Sequence, residues 1–136
     1  MSDINDETGN KPEIQNWDDL NLKMELLRGI YACGFENPSE IQKLAIKPII
    51  SGNDTIAQAQ SGTGKTGAFT ISTLQMIDTS IDSLQAVIIA PTQELSKQIY
   101  GVINQFGEFM DDLRTKLLIG GTSVQGDIDS INKSPP

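Results

Sequence analysis

One stretch restricts the folds open to this chain more than any other. It is Ala59-Gln60-Ser61-Gly62-Thr63-Gly64-Lys65-Thr66, set between a short apolar segment and a helix-forming one. Asp54-Thr55-Ile56-Ala57 is predicted to be a strand entering this turn, and Lys65 to about Asp78 a helix leaving it. A glycine-rich turn at a helix N-terminus aims amide N–H groups and the positive end of the helix dipole at an anion. In the pattern G-x-x-x-x-G-K-[ST] the lysine reaches the outer phosphates of a nucleotide and the hydroxyl ligates Mg²⁺. Ala59 occupies the first glycine position here, so the strict pattern is not met; the strand–loop–helix context supports it instead. Residues Ala59, Gln60, Ser61, Gly62, Thr63, Gly64, Lys65 and Thr66 are therefore predicted to hold a phosphate, with Thr66 on the metal. The competing reading is a glycine-rich surface turn with a solvated lysine.

The remaining segments extend the same alternation. Leu20, Met24, Leu27 and Tyr31 recur at three- and four-residue spacing and predict a helix with one buried face, which Gly34 is placed to end. Pro38-Ser39-Glu40-Ile41-Gln42 opens a second helix with Ser39 and Gln42 in capping-box register and Ile41, Leu44 and Ala45 on its apolar face; Pro48 is expected to interrupt it. Gln85 to Ala90 (QAVIIA) is a continuous apolar run, as a parallel strand covered on both faces requires. Thr92 caps a helix from Gln93 to about Met110, with Leu95, Ile99, Val102, Ile103 and Phe106 in one stripe. Lys116 to Ile119 (KLLI) is a third strand, ending at Gly120-Gly121, and Ser123 caps a last helix carrying Ile128 and Ile131. The order β-α-β-α-β-α implies right-handed crossovers and a parallel sheet flanked by helices.

Composition removes several kinds of chemistry. The 136 residues include no histidine and one cysteine, Cys33, so neither a zinc cluster nor a Ser/His or Cys/His nucleophile pair is available. No apolar run approaches the ~18–20 residues that span a bilayer, the N-terminus has no secretion-signal pattern, and the expectation is a cytoplasmic protein without a membrane partner. The net charge of −8 argues against a broad basic footprint for nucleic acid, but residues 1–20 contribute −5 of it. Residues 1–16 read as an acidic flexible tail, and any contact with RNA or DNA is expected to be a local surface.

Four motifs in fixed order are similar to those of the DEAD-box RNA helicases. Gly34-Phe35-x-x-Pro38-Ser39-x-Ile41-Gln42, with Trp17 seventeen positions before Gly34, resembles the Q motif. AQSGTGKT resembles motif I, Pro91-Thr92-Gln93-Glu94-Leu95-Ser96 motif Ia, and Gly120-Gly121 the GG motif. LLRGIYACGFENPSEIQ and IAQAQSGTGKTGAFTI are most similar to the translation-associated branch of the family. The resemblance covers residues 17–136 and implies an incomplete N-terminal RecA-like P-loop domain of an ATP-dependent RNA helicase, using ATP and Mg²⁺, acting on single-stranded RNA, with a translation-initiation scaffold protein as a possible partner.

It also implies residue roles: Gln42 reads the adenine edge and Trp17 stacks on the ring, while Pro91, Thr92, Gln93, Gly120 and Gly121 contact the RNA backbone. Plainer roles remain open beside these. Gln42 could serve only the cap, Trp17 only the core, Thr92 as an ordinary N-cap and the glycines as an ordinary turn. Gln93 stands where the family has Arg, which removes a charge-assisted phosphate contact. The Asp-Glu-Ala-Asp motif, the Ser-Ala-Thr motif and the second helicase domain have no counterpart in these residues. The expectation is therefore a sheet lacking its later strands, with exposed apolar edges, and a chain that binds ATP without hydrolysing it. A non-catalytic nucleotide- or RNA-binding module and an unrelated P-loop kinase or switch are the alternatives.

Overall fold

The computed structural model describes residues 14–136, so all but the last three residues of the expected acidic tail lie outside the described residues. Of those three, Ile14 packs against the core, and the Gln15 and Asn16 amides donate to the Asp19 carboxylate at 2.9 and 3.0 Å.

A short 3-10 helix, Trp17–Leu20, is followed by α1 (Met24–Ala32), α2 (Glu40–Ile50), α3 (Lys65–Met76), α4 (Gln93–Phe106) and α5 (Val124–Lys133). Helix α2 packs on α3, α3 on α4, and α1 across α4. Trp17, Leu26, Ile30, Ile46, Ile71, Leu74 and Phe106 form the centre of one hydrophobic core between them. Lys23 ties the entry of α1 to the end of α3: its amide donates to Gln75 Oε1 at 2.8 Å, and its ammonium caps the carbonyls of Leu74 and Ile77. A cation there also meets the negative end of the helix dipole.

Two helical details differ from the sequence pattern. The stripe of Leu20, Met24, Leu27 and Tyr31 is not the buried face of α1; Leu26, Gly29 and Ile30 are, and Met24 and Tyr31 are exposed. Asn21, with left-handed backbone (φ 52°), separates Leu20 from the helix, and of the two apolar spacings inside α1 the one through Leu26 and Ile30 faces the core. Pro48 does not interrupt α2, which runs through it to Ile50. In the last turn a proline forfeits one intrahelical bond, and its own carbonyl is taken by the Asn53 amide at 3.1 Å.

The parallel sheet is the larger departure. Among the described residues no strand forms: DTIA, QAVIIA and KLLI share no ladder hydrogen bonds. Ile56, Val87, Ile89 and Leu118 consequently stand in water, Ile89 at 89% exposure. A segment's composition encodes its readiness to be a strand, but a strand exists only through ladder bonds to a neighbour, and none of these three makes them to another. Each still leads into a helix as the sequence order implies, so the helical side of an α/β arrangement is built while the sheet side is not.

Candidate functional site

The turn before α3 keeps its amides free. None of the backbone N–H groups from 60 to 67 donates to another described residue. Gly62 (φ 80°) and Gly64 (φ 100°) supply left-handed backbone that side chains resist. Thr63 Oγ1 donates to the Gln60 carbonyl at 2.7 Å, and Lys65 Nζ folds back onto the Ala59 carbonyl, closing the loop on itself. Thr66, half-buried, follows as the second residue of α3. Unpaired amides at the N-terminus of a helix, with a lysine and a hydroxyl beside them, are a donor set that fits phosphate and a phosphate-bound divalent cation.

Gln42 joins this loop to α2. Its Oε1 accepts from the Ser39 amide at 2.8 Å, the Gln42 half of the expected capping box, and its Nε2 donates to the Gly64 carbonyl at 3.1 Å. Ser39 Oγ has the capping-box arrangement but no full hydrogen bond, and is buried without a partner beside the loop. The fit is tight: a Cβ on Gly64 would lie 2.7 Å from Ser39 Oγ and 2.8 Å from Gln42 Nε2, and one on Gly67 would lie 2.5 Å from the same nitrogen. Gln42 is 3% exposed, and it retains one N–H and one lone pair beyond the two bonds it makes.

Trp17 is placed in the core, 0% exposed, with its indole N–H donated to the Phe35 carbonyl at 3.0 Å. Phe35, at 43% exposure, reaches solvent, its inner edge held against Phe106 at a centroid distance of 5.5 Å. Phe35 lies inside the Gly34–Gln42 motif, where the sequence pattern alone gives it no role.

The second group of residues also comes together. Thr92 caps α4 through its hydroxyl, which accepts from the Leu95 amide at 3.2 Å. Gln93 Nε2 donates to the Gly120 carbonyl at 3.0 Å, and a Cβ on Gly120 would lie 3.1 Å from that nitrogen. Pro91, Thr92, Gln93, Gly120 and Gly121 therefore form one exposed patch, with Gly121 at φ 92°. Next to it the Thr122 hydroxyl and the Lys116 ammonium hold the Asp127 carboxyl below its ordinary range.

Residues 39–136 match the DEAD/DEAH box helicase family. The chain belongs to this family. It is 55% identical over 122 residues to an ATP-dependent RNA helicase eIF4A of Chaetomium globosum, covering 90% of this chain and 30% of that protein. It is 58% identical over 120 residues to the eIF4A of Yarrowia lipolytica, with 88% and 30% covered. This DEAD-box chain thus spans about 30% of the length of the curated relatives it matches. Among solved structures, a DEAD box protein from Methanococcus jannaschii superposes with a TM-score of 0.80 at 30% identity, covering 87% of this chain and 32% of that one. Prp28 of Chaetomium thermophilum, an RNA helicase solved with ADP, superposes with a TM-score of 0.76 at 29% identity, covering 94% and 32%. Dbp5 of S. cerevisiae, solved with RNA and ADP BeF3, gives 0.68 at 32% identity, covering 87% and 34%. No helix among the described residues of this DEAD-box chain is long and apolar enough to cross a membrane.

Proposed function

We propose that this chain is the ATP-binding and part of the RNA-binding half of an ATP-dependent RNA helicase of the eIF4A type. The observation that carries the reading is the hydrogen bond from Gln42 to the Gly64 carbonyl, because it places a buried amide with spare capacity against the phosphate loop. One side chain then links recognition of a base to recognition of its phosphates.

In this reading the amides of residues 59–64 and the Lys65 ammonium hold the phosphates of ATP, and Lys65 exchanges the Ala59 carbonyl for a phosphate oxygen. Thr66 Oγ1 holds Mg²⁺, which would neutralise phosphate charge during transfer. Gln42 reads the adenine edge with its remaining N–H and lone pair. Phe35 offers the exposed ring for the base, and Trp17 serves it indirectly by fixing the Phe35 carbonyl from within the core. The Pro91-Thr92-Gln93 and Gly120-Gly121 patch meets the sugar–phosphate backbone of single-stranded RNA, where glycines allow close approach and hydroxyl and amide groups donate to phosphate. With Gln93 neutral, that contact has a weaker salt dependence than a guanidinium would give. In this reading the setting is cytoplasmic and the partner a translation-initiation scaffold, which the similarity to eIF4A supports.

The deciding experiment is equilibrium binding of fluorescent ATP and GTP to the protein and to Gln42→Ala. The intact protein is expected to prefer ATP, and the variant to lose about tenfold in ATP affinity with GTP unchanged, the worth of roughly one well-made hydrogen bond. Equal weakening of both nucleotides would assign Gln42 to the capping box alone.

A further inference from the structure

Arg114 and Lys116 stand at the start of the KLLI segment, at the opposite end from Gly120-Gly121, and both turn toward α5. Arg114 Nη1 donates to Ser134 Oγ at 3.3 Å while its Nη2 pairs with Asp82 at 2.6 Å. Lys116 Nζ donates to Ser130 Oγ at 3.4 Å and pairs with Asp127 at 3.2 Å. These side chains line an open cleft of about 220 Å³ together with Ile131 and Pro136. Both serine contacts are slightly longer than the usual ~2.7–3.2 Å, so each is a weak hydrogen bond that a charged partner can displace.

Ser134 has already left the helix. Its backbone is extended (φ −149°, ψ 90°), it is exposed, and Pro135 follows it, disfavouring any return to helical geometry. An exposed, extended Ser-Pro step is the form in which a proline-directed protein kinase takes its substrate. Ser130 lies inside α5 and lacks that presentation. Helix α5 buries none of its residues, so polar contacts such as these hold it to the body.

We propose that Ser134 is a phosphorylation site for a proline-directed protein kinase, and that Arg114 and Lys116 receive the phosphate and fasten α5 to the segment leading to Gly120-Gly121. The kinase transfers the γ-phosphoryl group of ATP: the bond from Ser134 Oγ to phosphorus forms and the bond to the β–γ bridging oxygen breaks. ADP leaves with that electron pair, and the hydroxyl proton passes to the kinase's base. The phosphoryl group is larger than the 3.3 Å gap between Ser134 Oγ and Arg114 Nη1, so the half-exposed Arg114 side chain swings back to take its oxygens in charge-assisted contacts of ~2.7–2.9 Å. Asp82 and Asp127 compete for the same two cations, and the dipole of α5 opposes an anion at its C-terminus. Arg114 can hold Asp82 and a phosphate on separate N–H groups, Lys133 adds a third cation beside Ser134, and the dipole is screened at an exposed helix end.

The test treats the full 136-residue protein with a proline-directed kinase and ATP and locates the phosphate by mass spectrometry, with Ser134→Ala as control. Amide exchange of α5 and the phosphorus-31 titration are then compared with those of a phosphorylated peptide of residues 128–136 and of the Arg114→Gln/Lys116→Gln protein. Expected are incorporation at Ser134, severalfold slower exchange across α5, and a second phosphate pKa about half a unit or more below that of the peptide. The double substitution removes both effects. Incorporation elsewhere or none, unchanged α5 exchange, or a phosphate titrating as in the peptide would each overturn the proposal. The last comparison needs no variant and stands even if the double substitution fails to fold.

Discussion

Gln42 was legible in part from spacing. Pro38, Ser39 and Gln42 announce a helix start, and the bond from the Ser39 amide to Gln42 Oε1 follows directly from that register. The partner of Nε2 was not legible, because Gly64 lies 22 positions away and only tertiary structure brings the loop over α2. Gly64 itself follows from the motif, but its reason is now specific: positive φ and the absence of a Cβ beside Ser39 and Gln42. Gly64→Ala is expected to destabilise the protein by about 2 kcal/mol and to abolish ATP binding. Urea unfolding and fluorescent-nucleotide titration measure the two effects separately; a variant that binds ATP normally would show that the loop does not need this contact. Trp17 illustrates the opposite limit. Sequence left it open between the base and the core, and only the structure shows its indole buried and donating to the Phe35 carbonyl.

At the scale of elements, helix starts were readable and helix faces were less so. Ser39, Thr92 and Ser123 stand at the N-caps where the pattern put them, since a cap is a local arrangement of three or four residues. In α1, Met24, Leu27 and Tyr31 share one helical spacing and Leu26 and Ile30 another, so periodicity alone does not say which face meets the core. The packing of α1 on α4 depends on a residue that no hydrophobic stripe would mark. A Cβ on Gly29 would fall 2.0 Å from the Phe106 carbonyl oxygen, so the two helices meet backbone to backbone there. Gly29→Ala is expected to cost about 3 kcal/mol by forcing these helices apart. Thermal unfolding tests it directly, and a change below about 0.5 kcal/mol would mean that the helices separate freely, since surface changes fall in that range.

For the whole molecule, the sequence order of segments was readable and the pairing of strands was not, because no local signal in QAVIIA or KLLI names a neighbour. The same residues bound what the chain does with ATP. Hydrolysis in P-loop enzymes needs a further Mg²⁺-holding carboxylate, and neither QAVIIA nor KLLI ends in an acid: Pro91 follows the first and Gly120 the second. The 136-residue protein is expected to bind ATP but to turn it over no faster than Lys65→Ala, whose binding is at least tenfold weaker. A steady-state phosphate-release assay on both proteins checks this, and turnover clearly above that of the variant would refute it. Helices α1 to α4 close a core while Ile56, Val87, Ile89 and Leu118 still lack neighbours. On a ribosome adding ~5–20 residues per second, that divides folding in time: the helical layer consolidates as it emerges, and the apolar segments are what a chaperone meets on the newly made chain.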